Sequence, residues 1–507
     1  MSYDYKNSAS RLELFIKNMT SLSNTSNTTA YKGNDRILFG FILGLLSFWL
    51  FGMTMLNVNV VMNQDLGLPN SSLNLAVSIT SLFSGMTVVI FGGLADKIGR
   101  VKITRLGFIF AIIGAALVAA TPGKCGLTLP VLLTGRVLQG LSAACIMPST
   151  LALLREYWDE KGRQRAVSLW SMGTWGGTSF AALVGGAMAD NLGWRWIFIV
   201  STVLSLLGLY LIRDIPESKA EQKGKAGLDY LGMVLFMFFI VTLQLFVSKG
   251  SEWGWTSMKS LIMAGISIVF LIIFILFEQK RKESPFIDFR LFRNKTFTGA
   301  TISNFILNGT SGVLIVTLML MQQGGGISAD TTGLLTIGYG VVILLFIRVG
   351  ERLLRKFGPR KPMIWGCLIL LLSIACMLPT NIMTKTYMVL MSIGYIFFGL
   401  GLAFYATPST DAALSNLPLS QTASGSGIYK MASSLGNGFG IAISSAIYSG
   451  VVINGRPFTA LDTLFIGRQD NLDFRHGAMM ALLFNFVMIV IAIITIRATV
   501  EGKTKQE

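Results

Sequence analysis

The stretch Gly92, Gly93, Leu94, Ala95, Asp96, Lys97, Ile98, Gly99, Arg100, Val101, Lys102 interrupts two long apolar runs with a sudden cluster of charge. One acid and four bases, Lys97, Arg100, Lys102 and Arg105, are costly in hydrocarbon, so the stretch reads as a water-facing turn between two membrane helices. Gly92, Gly93 and Gly99 allow the backbone to bend tightly and neighbouring helices to approach closely.

Working outward from this turn, about 20 apolar residues are needed for each crossing of a bilayer. Fourteen spans satisfy that requirement: 37–62, 73–94, 103–121, 127–154, 166–189, 196–213, 229–248, 258–278, 297–321, 331–349, 362–380, 387–414, 423–450 and 477–498. The chain of 507 residues is 52% hydrophobic and only 13% charged, which fits an all-α polytopic membrane protein and no soluble domain class. Its net charge of +17 does not point to nucleic acid, because the bases fall in short loops between apolar runs. With the amino end in the cytoplasm, about 32 of the 42 Lys and Arg residues lie on the cytoplasmic side and about 8 outside. A multi-pass cell-membrane protein with both termini cytoplasmic is therefore expected, lipid bilayer being its surroundings and a monomer its form. Residues 1–35, rich in Ser, Thr and Asn from Ser21 to Thr29, read as a disordered cytoplasmic tail, and no cleavable signal peptide is expected there.

The composition also removes several functions. One histidine, His476, and four scattered cysteines leave no metal site of close ligands. There is no glycine-rich phosphate loop ending in Gly-Lys-Ser or Gly-Lys-Thr, and no nucleophile with a nearby histidine base, so neither ATP hydrolysis nor enzyme catalysis is expected. No cofactor is expected either, and ATP is not expected as a direct energy source.

An internal repeat organises the spans. Pro148, Ser149, Thr150, Leu151, Ala152, Leu153, Leu154 recurs as Pro408, Ser409, Thr410, Asp411, Ala412, Ala413, Leu414, and Trp170, Ser171, Met172 and Gly176 find loose partners in Tyr429, Lys430, Met431 and Gly436. If the spans from 229 to 278 are set aside as an inserted pair, each copy ends the fourth helix of a six-helix unit. The expected units are 36–213, an insert with its flanking loops at 214–296, and 297–498, followed by a short tail at 499–507.

The opening stretch resembles the signature loop of the major facilitator superfamily: glycine, Leu-Ala-Asp, a base, a second glycine and further bases. That resemblance implies two six-helix bundles with a substrate site near the midplane between them. Leu132 to Ala144 resembles the second signature of the superfamily, whose arginine, here Arg136, is associated with proton coupling in drug:proton antiporters. Gly173, Thr174, Trp175, Gly176 and Gly177, with Gly185 and Gly186 beyond, resemble the antiporter signature of the fifth helix, although Ala181 and Ala182 replace its Gly-Pro pair. Ser284 to Phe292 resembles the loop before the ninth helix of fourteen-helix drug:proton antiporters. Arg195 and Trp196 after Gly193 and Trp194, and Thr407 to Asp411, are similar to phrases in Nor-type quinolone exporters of Gram-positive bacteria. The first-helix aspartate common in the fourteen-helix family is missing, since the region reads Gly52, Met53, Thr54, Met55, Leu56, Asn57, Val58, Asn59.

Several residues carry the expected chemistry. Asp411 is the carboxylate inside an apolar run, Lys430 its nearest partner in sequence and Arg136 a guanidinium needing a partner or a wet cavity, and these three form the expected proton-coupling set. A static Asp411–Lys430 pair is the plain alternative. Gly92, Asp96, Gly99 and Arg100 are expected to latch the two halves at the cytoplasmic face. Trp49, Met53 and Asn57 share one helical face by four-residue spacing, as do Asn304 and Asn308. Together with Trp170, Trp175, Tyr405 and Tyr429 they form the expected substrate contacts, packing being the plain alternative for each. His476 is expected at a helix start near the interface.

The function implied is proton-coupled efflux of small amphipathic drugs, quinolone-like molecules and quaternary ammonium dyes included, by alternating access. One alternative keeps the fold and makes the cargo a fatty acid or another envelope amphiphile. A membrane sensor without transport is the alternative from another class.

Overall fold

The computed structural model describes residues 31–219, 229–281, 286–415, 417, 419–455 and 471–502. The Ser21 to Thr29 segment and most of the 451–475 loop lie outside the described residues. Among those described, every regular element is helical. In chain order the helices are α1 (Asp35–Leu46), α2 (Met55–Leu66), α3 (Asn70–Ile98), α4 (Arg100–Ala119), α5 (Thr128–Tyr157), α6 (Glu160–Asn191), α7 (Trp194–Leu211), α8 (Tyr230–Trp253) and α9 (Met258–Lys280). They continue as α10 (Lys295–Gly309), α11 (Ser311–Met319), α12 (Ala329–Leu335), α13 (Ile337–Phe357), α14 (Arg360–Met377), α15 (Thr384–Leu414), α16 (Leu419–Asn454) and α17 (Leu472–Thr499).

Among the described residues, thirteen spans are long and apolar enough to cross a membrane. The fourteenth expected span is α6, 32 residues long, which falls short in apolarity because glycine, serine and threonine replace much of its aliphatic surface. Those small residues have a packing role described below.

Two of the spans contain a π-helical turn, at different places along their length. The first passes from α1 through a π-helical turn, Ser47–Gly52, into α2, and its counterpart passes from α10 through α11 into a π-helical turn at Leu320–Gly324. A π turn leaves backbone carbonyls without their usual partners, which makes each break a place for side-chain donors.

The helices pack as two six-helix bundles with a two-helix insert. In the amino half α5 packs on α3 and α4, α4 on α7, and α1 on α6 and α7. In the carboxyl half α15 packs on α13 and α14, while α16 and α17 pack on α10. The halves meet along two seams, α3 against α16 and α6 against α12 and α13, with α2 touching α11 and α12 between them. The inserted α8 and α9 pack on each other, and α8 lies across α3 and α16. A polar ladder holds it there, with Gln244 Nε2 donating to Ser78 Oγ at 2.6 Å and Lys249 Nζ donating to Ser72 Oγ at 2.6 Å.

One face of the bundle carries the first and last described segments and the Gly99 turn, since Gly33 N donates to Tyr157 O and Arg360 donates to the Arg497 carbonyl. This is the termini face. The far face carries the turns at Gly67, Gly193 and Gly326, all in positive-φ conformations that glycine alone adopts cheaply.

Candidate functional site

At the termini face, Gly99 separates α3 from α4 with φ +139°, and a Cβ there would collide with the Glu217 carboxylate. That carboxylate caps α4, accepting from Val101 N at 2.9 Å and Lys102 N at 3.1 Å. The helix end favours the negative charge. Arg100 donates from Nε to Asp96 Oδ1 at 2.9 Å, from a terminal nitrogen to Glu156 Oε2 at 2.6 Å and to Ser218 Oγ at 3.3 Å. Gly92 packs against Pro148 of α5. The expected latch between halves is therefore corrected in its geometry: all of these contacts stay within the amino half and its following loop. Glu217 could not be found by spacing, because it lies more than a hundred residues along the chain from the helix it caps.

Arg136 is fully buried in α5. Its guanidinium donates to Ala76 O of α3 at 2.8 Å, to Gly52 O at the end of the π turn at 2.8 Å and to Gln139 Oε1 at 2.7 Å. Its partners are backbone carbonyls and an amide, so this cation holds the break in the first span open at a fixed angle to α3. Donors to carbonyls in a dry interior are worth roughly 1.5–3 kcal/mol each when charged.

The far end of the interface is sealed by Asn57, which is also fully buried. Its Nδ2 donates to Ala182 O and to Ala329 O, both at 2.8 Å, while Gln322 Nε2 donates to its backbone and side-chain oxygens at 2.7 Å and Thr332 Oγ1 donates to its Oδ1 at 3.2 Å. One side chain thereby joins α2, α6, α12 and the π turn after α11. Beside it Asp330 N donates to Asp190 Oδ2 at 2.7 Å. The antiporter-like glycines make this closeness possible: Gly177 faces Trp49, Gly185 faces Thr54, and a side chain at Gly186 would collide with the Ala329 carbonyl. Met53 is buried in the same region. Asn57 and Met53, expected in an open substrate surface, are instead shut into this seal, because four-residue spacing gives a shared face and not which neighbour that face meets.

Toward the termini face the second seam parts. Gly176 of α6 still meets Leu344 of α13, yet one turn further along both helices Met172 and Arg348 are exposed. On α16 Lys430 is exposed while Tyr429 and Met431 beside it are buried. The structure thus holds the interface shut at one end and accessible at the other.

The remaining candidates divide into those facing this space and those packed away. Asn304 donates to Tyr429 O at 3.0 Å and Ser433 Oγ at 2.6 Å, and half-buried Asn308 donates to Asn304 Oδ1 at 2.9 Å. Tyr405 donates to Ser303 Oγ at 2.7 Å and Tyr429 to Ser409 Oγ at 2.8 Å, forming a hydroxyl network buried in the carboxyl half. Trp170 donates to Thr150 Oγ1 at 3.0 Å and is buried between α5 and α6. Trp175 is half-buried. Trp49 is also half-buried, and its indole N–H has no partner among the described residues.

Asp411 differs from its expectation. It is half-buried, in the last turn of α15, and neither it nor Lys430 takes part in an ion pair with the other. The expected span 387–414 ends where the helix does, at Leu414, so an acid inside the apolar run still lies only one turn from its end. His476, expected near the interface, is buried.

Two pseudo-repeated helical bundles, meeting along glycine-lined seams and sealed at one end only, define a membrane transporter and not an enzyme. The chain belongs to the Major Facilitator Superfamily, whose family model matches residues 40–441. It is 44% identical over 467 residues to the quinolone resistance protein NorB of Staphylococcus aureus strain MRSA252, covering 92% of this chain and 96% of that one. Against the same protein of strain JH9 it is 46% identical over 421 residues, covering 83% and 89%. Its fold is similar to the crystal structures of an auto-inhibited POT family peptide transporter, with TM-score 0.65, 13% identity and coverage of 93% and 98%, and of a D-xylose-proton symporter, with TM-score 0.58, 16% identity and coverage of 89% and 96%.

Proposed function

We propose that the protein exports small amphipathic drugs of the quinolone kind, driven by protons, with the termini face in the cytoplasm. The observation that carries the transport cycle is the opposite state of the two ends of one interface: the Asn57 knot is closed while Met172 and Lys430 are accessible. Rocking the halves so that the knot opens and the parted seam shuts moves the space between them from one face to the other. The orientation is supported by the concentration of Lys and Arg at the termini face. The quinolone cargo is supported by the extent of likeness to NorB.

Asp411 is the proposed proton carrier. It is half-buried beside Thr410, whose hydroxyl donates to the buried Tyr429 hydroxyl at 3.5 Å. A fatty acid or other envelope amphiphile is the second reading. It is favoured by the absence, among the described residues, of any Asp or Glu more than two turns inside a spanning helix, which leaves a permanently cationic cargo without a counter-charge.

The test is flux by the purified protein in proteoliposomes. An imposed pH gradient should drive a quinolone against its own gradient, and Asp411→Asn should uncouple that flux from the protons. Equal quinolone flux with and without the gradient would overturn the coupling.

A further inference from the structure

Lys430 stands in an unusual place for a lysine. Its level can be read from α16's neighbours: Gly427 packs on Val89 of α3 and Ser434 on Gly85. Lys430 is therefore opposite the middle of α3, about 15 Å in from the Ile98 end. A lysine at such depth normally finds a carboxylate or a water-filled space.

Its direction follows from the same contacts. At about 100° per residue, Gly427, Ser434 and Gly438 form the face of α16 that packs on α3, whereas Tyr429, Ser433 and Gly436 form the face that packs on α10. Lys430 lies between these two faces, so its stem leaves the helix into the space between the halves. The residues sharing this sector are polar. Ser433 accepts from Asn304, and Asn437 donates to Ser81 Oγ at 2.7 Å.

Among the described residues Lys430 makes no hydrogen bond and no ion pair. Asp411 does not pair with it, and Glu351 on α13 is already paired with Arg355. An unpaired cation in a partly desolvated space attracts an anion strongly and repels a second cation.

We infer that Lys430 is the docking cation for a carboxylate carried by the cargo, so that the transported class is amphipathic carboxylic acids, with Asn308 and Asn437 placed to orient the remaining polar groups. This inference rests on the exporter reading above and names its substrate class. A quinolone and a fatty acid both present this group, and an ester of either does not.

The test uses the full chain in lipid nanodiscs, with binding of a fluoroquinolone acid, its methyl ester and dodecanoate measured by equilibrium dialysis. The unaltered protein should bind the quinolone acid about tenfold more tightly than the ester. Lys430→Gln should weaken the acid about tenfold and leave the ester unchanged, while Lys430→Arg keeps the preference. Dodecanoate following the quinolone acid would extend the class to fatty acids; dodecanoate failing to bind would confine it to aromatic acids. Equal affinity of the unaltered protein for acid and ester, equal loss of both in Lys430→Gln, or no binding of either acid would overturn the assignment. If the acid preference holds in nanodiscs but the unaltered protein shows no flux in proteoliposomes, the exporter reading fails and the docking role stands.

Discussion

The side-chain amide of Gln322 lies 2.7 Å from both the backbone oxygen and the side-chain oxygen of Asn57, joining the two halves of the molecule at a single buried point. Around that point the carbonyls of Ala182 and Ala329 share the donors of one amide. Asn57→Ala removes every bond made by the side chain and strands those partners, leaving only the Gln322 bond to the backbone oxygen. A loss of about 1.4 kcal/mol in the closed state would move the open population tenfold. Spin labels at Gln64→Cys and Ser328→Cys, both exposed at the far face, should report a longer distance in Asn57→Ala than in the unaltered protein.

The glycines of α6 and α16 separate closure from folding. Gly186→Ala drives a methyl into the Ala329 carbonyl across the boundary, so it should favour the far-open arrangement and leave thermal stability nearly unchanged. Gly436→Ala drives one into the Phe305 carbonyl within the carboxyl half, where no hinge relieves it. A cost of about 1–3 kcal/mol is expected there, read as a lower Tm without a change in the far-face distance.

Arg136 should be irreplaceable by lysine. Arg136→Lys keeps the charge but offers one nitrogen where three acceptors on three elements are now served, and Arg136→Met offers none. The expected loss is about 2–5 kcal/mol for methionine and less for lysine, measured by thermal unfolding in detergent, with transport lost in both.

The turn at the termini face can be tested through Glu217 and Gly99 independently. Glu217→Gln weakens the cap on α4 by about 1 kcal/mol. Gly99→Ala should cost about 1–3 kcal/mol, because its φ of +139° is closed to alanine and the Glu217 carboxylate occupies the space. The double variant should lose less than the sum, since both act on the same contact.

A permanently cationic dye should be a poor cargo. Among the described residues no carboxylate lies deep within the spans to receive it, while Lys430 and Arg136 do lie there. Counterflow in proteoliposomes should favour the quinolone over a quaternary ammonium dye at equal concentration; a reversed order would place the cargo site away from Lys430.

Much of this was legible in the residues themselves, for physical reasons that also mark the boundary. Fourteen spans and a repeat could be read because hydrocarbon demands about 20 apolar residues per crossing and because Pro148 to Leu154 recurs at Pro408 to Leu414. Arg136 could be singled out because a guanidinium in an apolar run must find partners, yet which carbonyls it meets depends on the π turn at Ser47–Gly52, for which no residue pattern was read. Spacing placed Asn57 with Met53 and Trp49 on one face, but only packing shows that two of them are shut in a seal while Trp49 keeps an unpartnered indole N–H. Asp411 stands inside an apolar run, but membership of a run does not record depth along the helix, and this acid lies in the last turn. The α6 glycines carry the resemblance to the antiporter signature, and that Gly176 and Gly186 face the other half while Gly177 and Gly185 face the first span follows from the fold alone.

The most direct test measures both ends of the interface in the same sample. Labels at Gln64→Cys and Ser328→Cys report the far face, and labels at Met172→Cys and Arg348→Cys report the parted seam toward the termini face. On addition of a quinolone acid and a lowered pH, the first distance should lengthen as the second shortens, in equal populations. Distances that stay fixed, or that lengthen together at both faces, would contradict alternating access in this protein.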